Sequence, residues 1–406
     1  MSVPIAKHAG KWAAFILITF FLTEVIFRFF KPCAFFAELV QPNSDYNHTY
    51  PPHFRGKYVQ STGTEKYKLS LFTNSLSLCQ PEEVTIPKPN GVYRILVIGD
   101  SFVAGLNWQT AIPHVLQTAL AANLTDSGKR LEVVNCGQIS YSPILHLARL
   151  MHQYIRLEPD AILLMPDLTD VFDDNIRYRK LVKIDREGNF DGVAASPQLL
   201  EMEDRFKRYG FYSTNSYVIR GLIKKALKAF MPKIDWNNSA CTPEKVFAHC
   251  KEQQEIMSPD TAFQIEYTVG NIQKIIEFSH RHSIHIAIIM YPHLPQIVPE
   301  KDPGKAEDTA LLYNRFFENS TRVLCENRAV TFKSFYEEIA RKVRAGKKLY
   351  LDHDTHFNEE GLKILSSYIA DWIIRDPCLS IGTNLIKKRK PNRDNPATNA
   401  KNIIGF

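Results

Sequence analysis

Apolar residues in this chain come in short unbroken runs, and amphipathic stretches separate the runs. Residues 93–99 (YRILVIG), 131–137 (LEVVNCG), 161–167 (AILLMPD), 284–292 (IHIAIIMYP) and the shorter 329–335 (AVTFKSF) predict five strands. These runs are nearly continuous rather than alternating, as in strands buried on both faces. Between them, apolar positions recur at helical spacing and predict helices over 109–124, 142–159, 263–281, 309–326 and 359–374. Strands alternating with helices define an α/β fold: three layers, α/β/α, around a mostly parallel, flavodoxin-like sheet. In such sheets functional groups gather beyond the carboxyl ends of the strands. That edge receives Ser101, Gly137, residues 167–170 and the loop after Tyr291.

The flanks break this rhythm. Residues 12–30 are strongly apolar, follow Lys7 and Lys11, and carry Glu24 and Arg28 near the far end. A spanning helix needs about 20 mostly apolar residues, so residues 1–31 predict an uncleaved signal anchor, a single transmembrane helix. The preceding lysines put the N-terminus in the cytoplasm and the α/β domain outside it. A cleaved signal peptide and a buried soluble helix are the rivals, although no small-x-small cleavage site follows the run. Residues 32–90 read as linker and lead-in, 91–376 as the α/β domain with an insertion at about 175–262, and 377–406 as a basic, disordered tail. The insertion contains a predicted helix at 217–230. It also holds an aromatic and basic stretch, 205–220, that suits either a sugar polymer or a covering layer over the sheet.

Composition narrows the classes. A chain of 406 residues with 45% hydrophobic content can bury a substantial core. The net charge of +7 is modest and partly sits in the tail sequence IKKRKPNR (386–393). The aromatic-interleaved basic surface of a nucleic-acid binder is missing. Seven cysteines form no CxxC pair, which removes zinc-ribbon and thioredoxin chemistry. Cys241 and Cys250 flank a short loop and suit either a disulfide outside the cytoplasm or two free thiols.

Two clusters carry candidate chemistry. In Gly99-Asp100-Ser101 a buried strand meets a turn, and taken alone this is equally the pattern of a helix cap. It matches neither phosphate-binding glycine pattern. The second cluster, YLDHDTHFNEEG, crowds Asp352, His353, Asp354 and His356 ahead of an amphipathic helix. Serine becomes a nucleophile when a base takes its proton and an acid orients that base. Asp354 and His356 supply acid and base together. The same four residues offer imidazole and carboxylate to a divalent metal, but no distant ligands accompany them and GDSF is then unexplained. Asp352 and His353 are assigned to shaping the loop, and no metal or cofactor is expected.

The chain order resembles the SGNH/GDSL hydrolase superfamily. GDSF (99–102) is similar to its first motif and DTHFNEEG (354–361) to its last. The usual last motif has Asp three residues before His; here His353 holds that place. The D-T-H form resembles the subgroup of alginate O-acetyltransferase-like proteins. Residues 72–102 resemble the lead-in of membrane-anchored members found with bacterial glycan synthesis, with Ser77 in the place of a glycine and Cys79 in that of an arginine. The resemblance implies a Ser101–His356–Asp354 triad and an oxyanion hole from the Ser101 N–H, Ser140 and Thr169. Ser140 stands where a glycine is usual, and Thr169 where an asparagine is usual. Asn175 offers a substitute amide. The implied activity is hydrolysis of ester-linked acyl groups, O-acetyl above all, on a carbohydrate or surface polysaccharide. The alternatives are O-acyl transfer to a glycan with the same triad, and a non-catalytic glycan-binding or assembly component. The implied partners are an acylated carbohydrate, the membrane and polysaccharide-synthesis proteins.

Overall fold

The computed structural model describes residues 4–30, 39–62, 65–122, 129–204, 207, 259–298, 306–351 and 356–375. The chain begins with helix α1 (Pro4–Phe30). Two antiparallel pairs of the N-terminal region follow: β1 (Gln41–Asn43) pairs with β2 (Asn47–Thr49), and β3 (Arg55–Thr62) pairs with β4 (Glu65–Phe72). The central layer then starts with β5 (Val92–Gly99), the four-residue helix α2 (Ser101–Ala104), α3 (Ile112–Ala121) and β6 (Arg130–Gly137). It continues with α4 (Pro143–His152), β7 (Ala161–Met165), α5 (Thr169–Phe172) and a small hairpin of β8 (Val182–Ile184) and β9 (Phe190–Val193). After the insertion come α6 (Pro259–Arg281), β10 (His285–Met290), α7 (Leu294–Ile297) and α8 (Ala306–Asn327). The chain closes with β11 (Thr331–Ser334), α9 (Tyr336–Arg344) and α10 (Glu359–Arg375).

The main sheet has the order β11-β10-β7-β5-β6, and every pairing is parallel. Renumbered within the sheet this is 2-1-3-4-5, the flavodoxin-like order. The alternation of side chains along β5 explains the three layers. Tyr93, Ile95 and Val97 join Ile112 and Leu116 of α3, Ile339 of α9 and Leu362, Leu365 and Ile369 of α10. Leu96 and Ile98 face the opposite way, against Leu147 and Leu150 of α4, Ile272 and Ile276 of α6 and Phe317 of α8. Each such side chain stabilises the fold by about 1.5–3 kcal/mol.

Three sequence expectations need correction. The strands predicted over 161–167 and 284–292 stop at Met165 and Met290, ahead of Pro166 and Pro292, which lack the N–H a ladder requires. The helix predicted to Pro159 ends at His152 and becomes a 3₁₀ turn (Tyr154–Leu157), with Glu158 at φ 51° before the proline. The stretch read as linker is in part built structure. Leu39, Val40, Tyr50, Leu71 and Cys79 are buried with Ala104, Leu199 and Met202 in a third cluster beside the sheet.

Helix α1 exposes Trp12, Phe15, Ile16, Leu17 and Phe21. Side chains of this helix are described for residues 10–26 only. Among the described residues no helix is long and apolar enough to cross a membrane. Cys79, Cys136 and Cys325 are free and buried. The Cys241–Cys250 pairing, the helix at 217–230, nearly all of 205–220 and the basic tail lie outside the described residues.

Candidate active site

The site begins where three adjacent strands end together. Gly99 of β5 is in register with Gly137 of β6 and with Met165 of β7. The Gln138 N–H donates to the Gly99 carbonyl at 3.1 Å and locks the first two ends. At Gly137 a Cβ would overlap the backbone of Ala104, so only glycine lets α2 and the 138–141 loop approach this closely.

Ser101 is the first residue of α2, but it does not cap that helix. The cap is Asp100, whose Oδ1 accepts from the Phe102 N–H at 2.8 Å. The Ser101 hydroxyl is therefore available, and its Oγ lies 2.8 Å from His356 Nε2 and 3.1 Å from Asp100 Oδ2. His356 arrives from the loop ahead of α10. Its carbonyl accepts from the Leu351 N–H at 2.9 Å, and the Phe102 ring stacks on its imidazole at 4.7 Å and 23°. Asn358 fixes the start of α10, with Oδ1 accepting from the Gly361 N–H and Nδ2 donating to the Lys348 carbonyl. Of the remaining crowded residues, Asp352, His353 and Asp354 lie outside the described residues.

Ser140 follows β6 and has φ 55°, the left-handed region in which an L side chain is strained by about 1–2 kcal/mol. Tyr178 Oη–H donates to its carbonyl at 2.6 Å and the Tyr50 hydroxyl accepts from the Ile139 N–H at 3.0 Å, so the loop is held from both sides. Among the described residues no protein acceptor takes the N–H of Ser101 or Ser140. Thr169 is arranged differently. Its hydroxyl donates to Asp167 Oδ1 at 2.6 Å and its N–H to the same oxygen at 2.7 Å. A hydroxyl has one hydrogen, so in this arrangement Thr169 has none for a substrate. Asn175 donates its amide to the carbonyls of Val171 and Gln264 at 2.8 Å each.

Beneath the serine lies a bed of carboxylates. Asp100, Asp167 and Asp170 are all buried. Burial, reinforced by the Asp167 charge, pushes the Asp100 carboxyl up to about 8 against the pull of His356. Burial and the Asp167 and Asp100 charges push Asp170 well above the carboxylate range. Asp167 goes the other way. Burial alone would raise it, but the imidazole of His293 and the bonds from His293 and Thr169 hold it below the usual value. His293 Nε2 sits 3.4 Å from Asp167 Oδ2, and both side chains are fully enclosed. Tyr291 Oη–H donates to the same oxygen at 3.4 Å. Asp100 and Asp167 were visible in the sequence only as parts of motifs. His293, two residues beyond Tyr291 in MYPHLP, carried no signal beyond its place after a strand.

No family model matches the sequence, and no curated protein matches it. Among solved structures, the chain is similar to a lipase/acylhydrolase from Enterococcus faecalis, with TM-score 0.37 and 11% identity over 69% of this chain and 95% of that one. It is also similar to an acetyl xylan esterase, AlAXEase, with TM-score 0.39 and 11% identity over 69% of this chain and 100% of that one. A catalytic mutant of an acetylxylan esterase from Geobacillus stearothermophilus gives TM-score 0.39 and 13% identity over 69% and 92%. At likenesses this remote, function has to be read from the site itself.

Proposed function

We propose that this chain is a serine esterase of the SGNH/GDSL type that removes acyl groups, O-acetyl above all, from a carbohydrate. The observation that carries the reading is the 2.8 Å contact between Ser101 Oγ and His356 Nε2 at the carboxyl edge of the central strand. A general base must lie within hydrogen-bond reach of the proton it takes, and this pair meets that requirement. In the proposed reaction His356 takes the Ser101 proton as Oγ attacks the acyl carbon, and the carbonyl π electrons move onto its oxygen. The Ser101 and Ser140 N–H groups stabilise that oxyanion. His356 then returns the proton to the leaving sugar oxygen, and water repeats the sequence to release the acid. Asp354 is assigned to orient His356 through its other nitrogen. Helix α1, with its exposed apolar side chains, is proposed to hold the domain at a membrane.

The test is covalent labelling with a fluorophosphonate. Wild-type protein should label, and Ser101→Ala and His356→Ala should not, with all three equally folded by circular dichroism. Unlabelled wild-type protein is then given an acetylated xylo-oligosaccharide and assayed for free acetate. No labelling of folded wild-type protein overturns the reading.

A further inference from the structure

We propose that Asp100 is a second catalytic carboxyl: it works as a neutral acid that donates a hydrogen bond to Ser101 Oγ and so turns the serine hydroxyl toward His356. The inference rests on the esterase reading above and adds a residue to the same site.

The argument is one of counting hydrogens. Among the described residues Ser101 Oγ has two close polar neighbours, His356 Nε2 at 2.8 Å and Asp100 Oδ2 at 3.1 Å, but the serine has one hydrogen to give. For His356 to act as base, that hydrogen must point at Nε2. The Asp100 contact is then oxygen against oxygen, and it is attractive only if Asp100 carries the proton. The geometry leaves room for it there. Asp100 Oδ1 is occupied as acceptor for the Phe102 N–H, and Oδ2, the oxygen facing serine, is the one free to be protonated.

The surroundings agree with a neutral carboxyl. Among the described residues, the groups that face Asp100 come from every element packed around it. Asp167 and Asp170 follow β7, Tyr291 follows β10, Tyr50 comes from the N-terminal region and His356 precedes α10. Two of these are acids, two are phenols, and His356 is the single basic group among them. Asp167, held in its charged form by His293, is the anion that makes a second charge at Asp100 unfavourable.

Neutral Asp100 fills one lone pair of Oγ, the hydrogen goes to His356, and the second lone pair is left for the acyl carbon. Asp100 keeps its proton throughout the reaction. Ionised Asp100 would draw the serine hydrogen to itself and set a negative charge beside the developing oxyanion. Labelling and hydrolysis should therefore fall as pH rises through the titration of Asp100.

The experiment compares Asp100→Asn and Asp100→Ala with wild-type protein in the pH dependence of fluorophosphonate labelling. Asparagine keeps both bonds, accepting from Phe102 through its oxygen and donating to Oγ through its amide, and it does not titrate. It should remove the alkaline fall and lower the neutral-pH rate only severalfold, whereas alanine should lower it by about a hundredfold. An Asn variant as impaired as Ala, or one that keeps the alkaline fall, overturns the proposal. If Asp100→Asn does not fold, His293→Gln supplies the second measure. It weakens the hold on the Asp167 charge, so the alkaline fall should move to lower pH, and an unmoved fall overturns the proposal. Infrared difference spectra between wild type and Asp100→Asn, taken at neutral pH, read the Asp100 carboxyl without turnover. A protonated C=O stretch is expected, and a carboxylate band alone overturns the proposal. A wild-type protein that shows the protonated band yet never labels would instead count against the esterase reading.

Discussion

Two buried polar regions flank the 138–141 loop, and they handle charge in opposite ways. Arg149 on α4 is fully enclosed, and its guanidinium is matched. It donates to Gln153 Oε1 at 2.7 Å, Gln138 Oε1 at 2.9 Å and the Ser77 carbonyl at 3.1 Å, with the rings of Tyr46, Tyr141 and Tyr154 within 5.0–5.7 Å. The bed under Ser101 places Asp100, Asp167 and Asp170 together, with the His293 imidazole 3.4 Å from Asp167. A buried charge persists when its hydrogen bonds are met. A carboxyl that shares a site with others takes up a proton instead. The first region is therefore built for rigidity and the second for protonation. The rigid one holds Gln138, and through it the loop that carries Ser140.

The strongest way to break the comparison is Arg149→Ala. It strands the Gln153 side-chain acceptor and the Ser77 carbonyl and leaves Gln138 Oε1 with the long bond from the Tyr50 N–H, and it should cost about 3 kcal/mol or more in chemical denaturation. The next test bears on the acidic region as a whole. Asp100, Asp173 and Asp174 are pushed up to about 8, 7 and 6, chiefly by burial, and Asp170 well above its usual value. Between the ordinary carboxylate range and these values the native state binds more protons than the unfolded chain. Stability should therefore decline as pH rises across that window. Melting temperatures taken from about pH 5 to about pH 8 should fall steadily, and Asp100→Asn should flatten part of the slope. A rising curve would contradict the protonated bed. The smallest effect belongs to Ser140→Gly, which relieves the positive φ and should add about 1 kcal/mol of stability while leaving the Arg149 cage intact. A loss of stability would mean the serine side chain is itself holding the loop.

The sequence made the central sheet legible because β5, β6, β7 and β10 are nearly continuous apolar runs, the pattern of strands buried on both faces. Ser101 and His356 were legible as partners because each sits beside a recognisable strand or helix boundary. Other elements left weaker traces. β1 and β2 are three-residue strands of mostly polar residues, QPN and NHT, and α9 is short and mostly charged. Thr169 read as a donor because its residue type permits it. That its hydrogen goes to Asp167 depends on a turn two residues long that no spacing rule encodes. Asp100 was harder still. Its neighbours Asp167 and His356 come from distant segments, and its acidity exists only once the fold has brought them together. Ser77 and Ser140 were noted where glycines are usual, and both have positive φ, 59° and 55°. The backbone shape at these positions was thus readable even though the residue that normally permits it is missing.

The contact between Ser101 and His356 joins residues 255 positions apart. A growing chain emerging from the ribosome thus exposes its serine long before the histidine has been synthesised. Helix α10, which packs its Leu362, Leu365 and Ile369 into the same cluster as α3, is the final described segment to be made. Pairing of serine with histidine therefore waits until after the last strand of the sheet has been made, and a protein halted between β11 and His356 would leave the ribosome with a complete sheet and an inert hydroxyl.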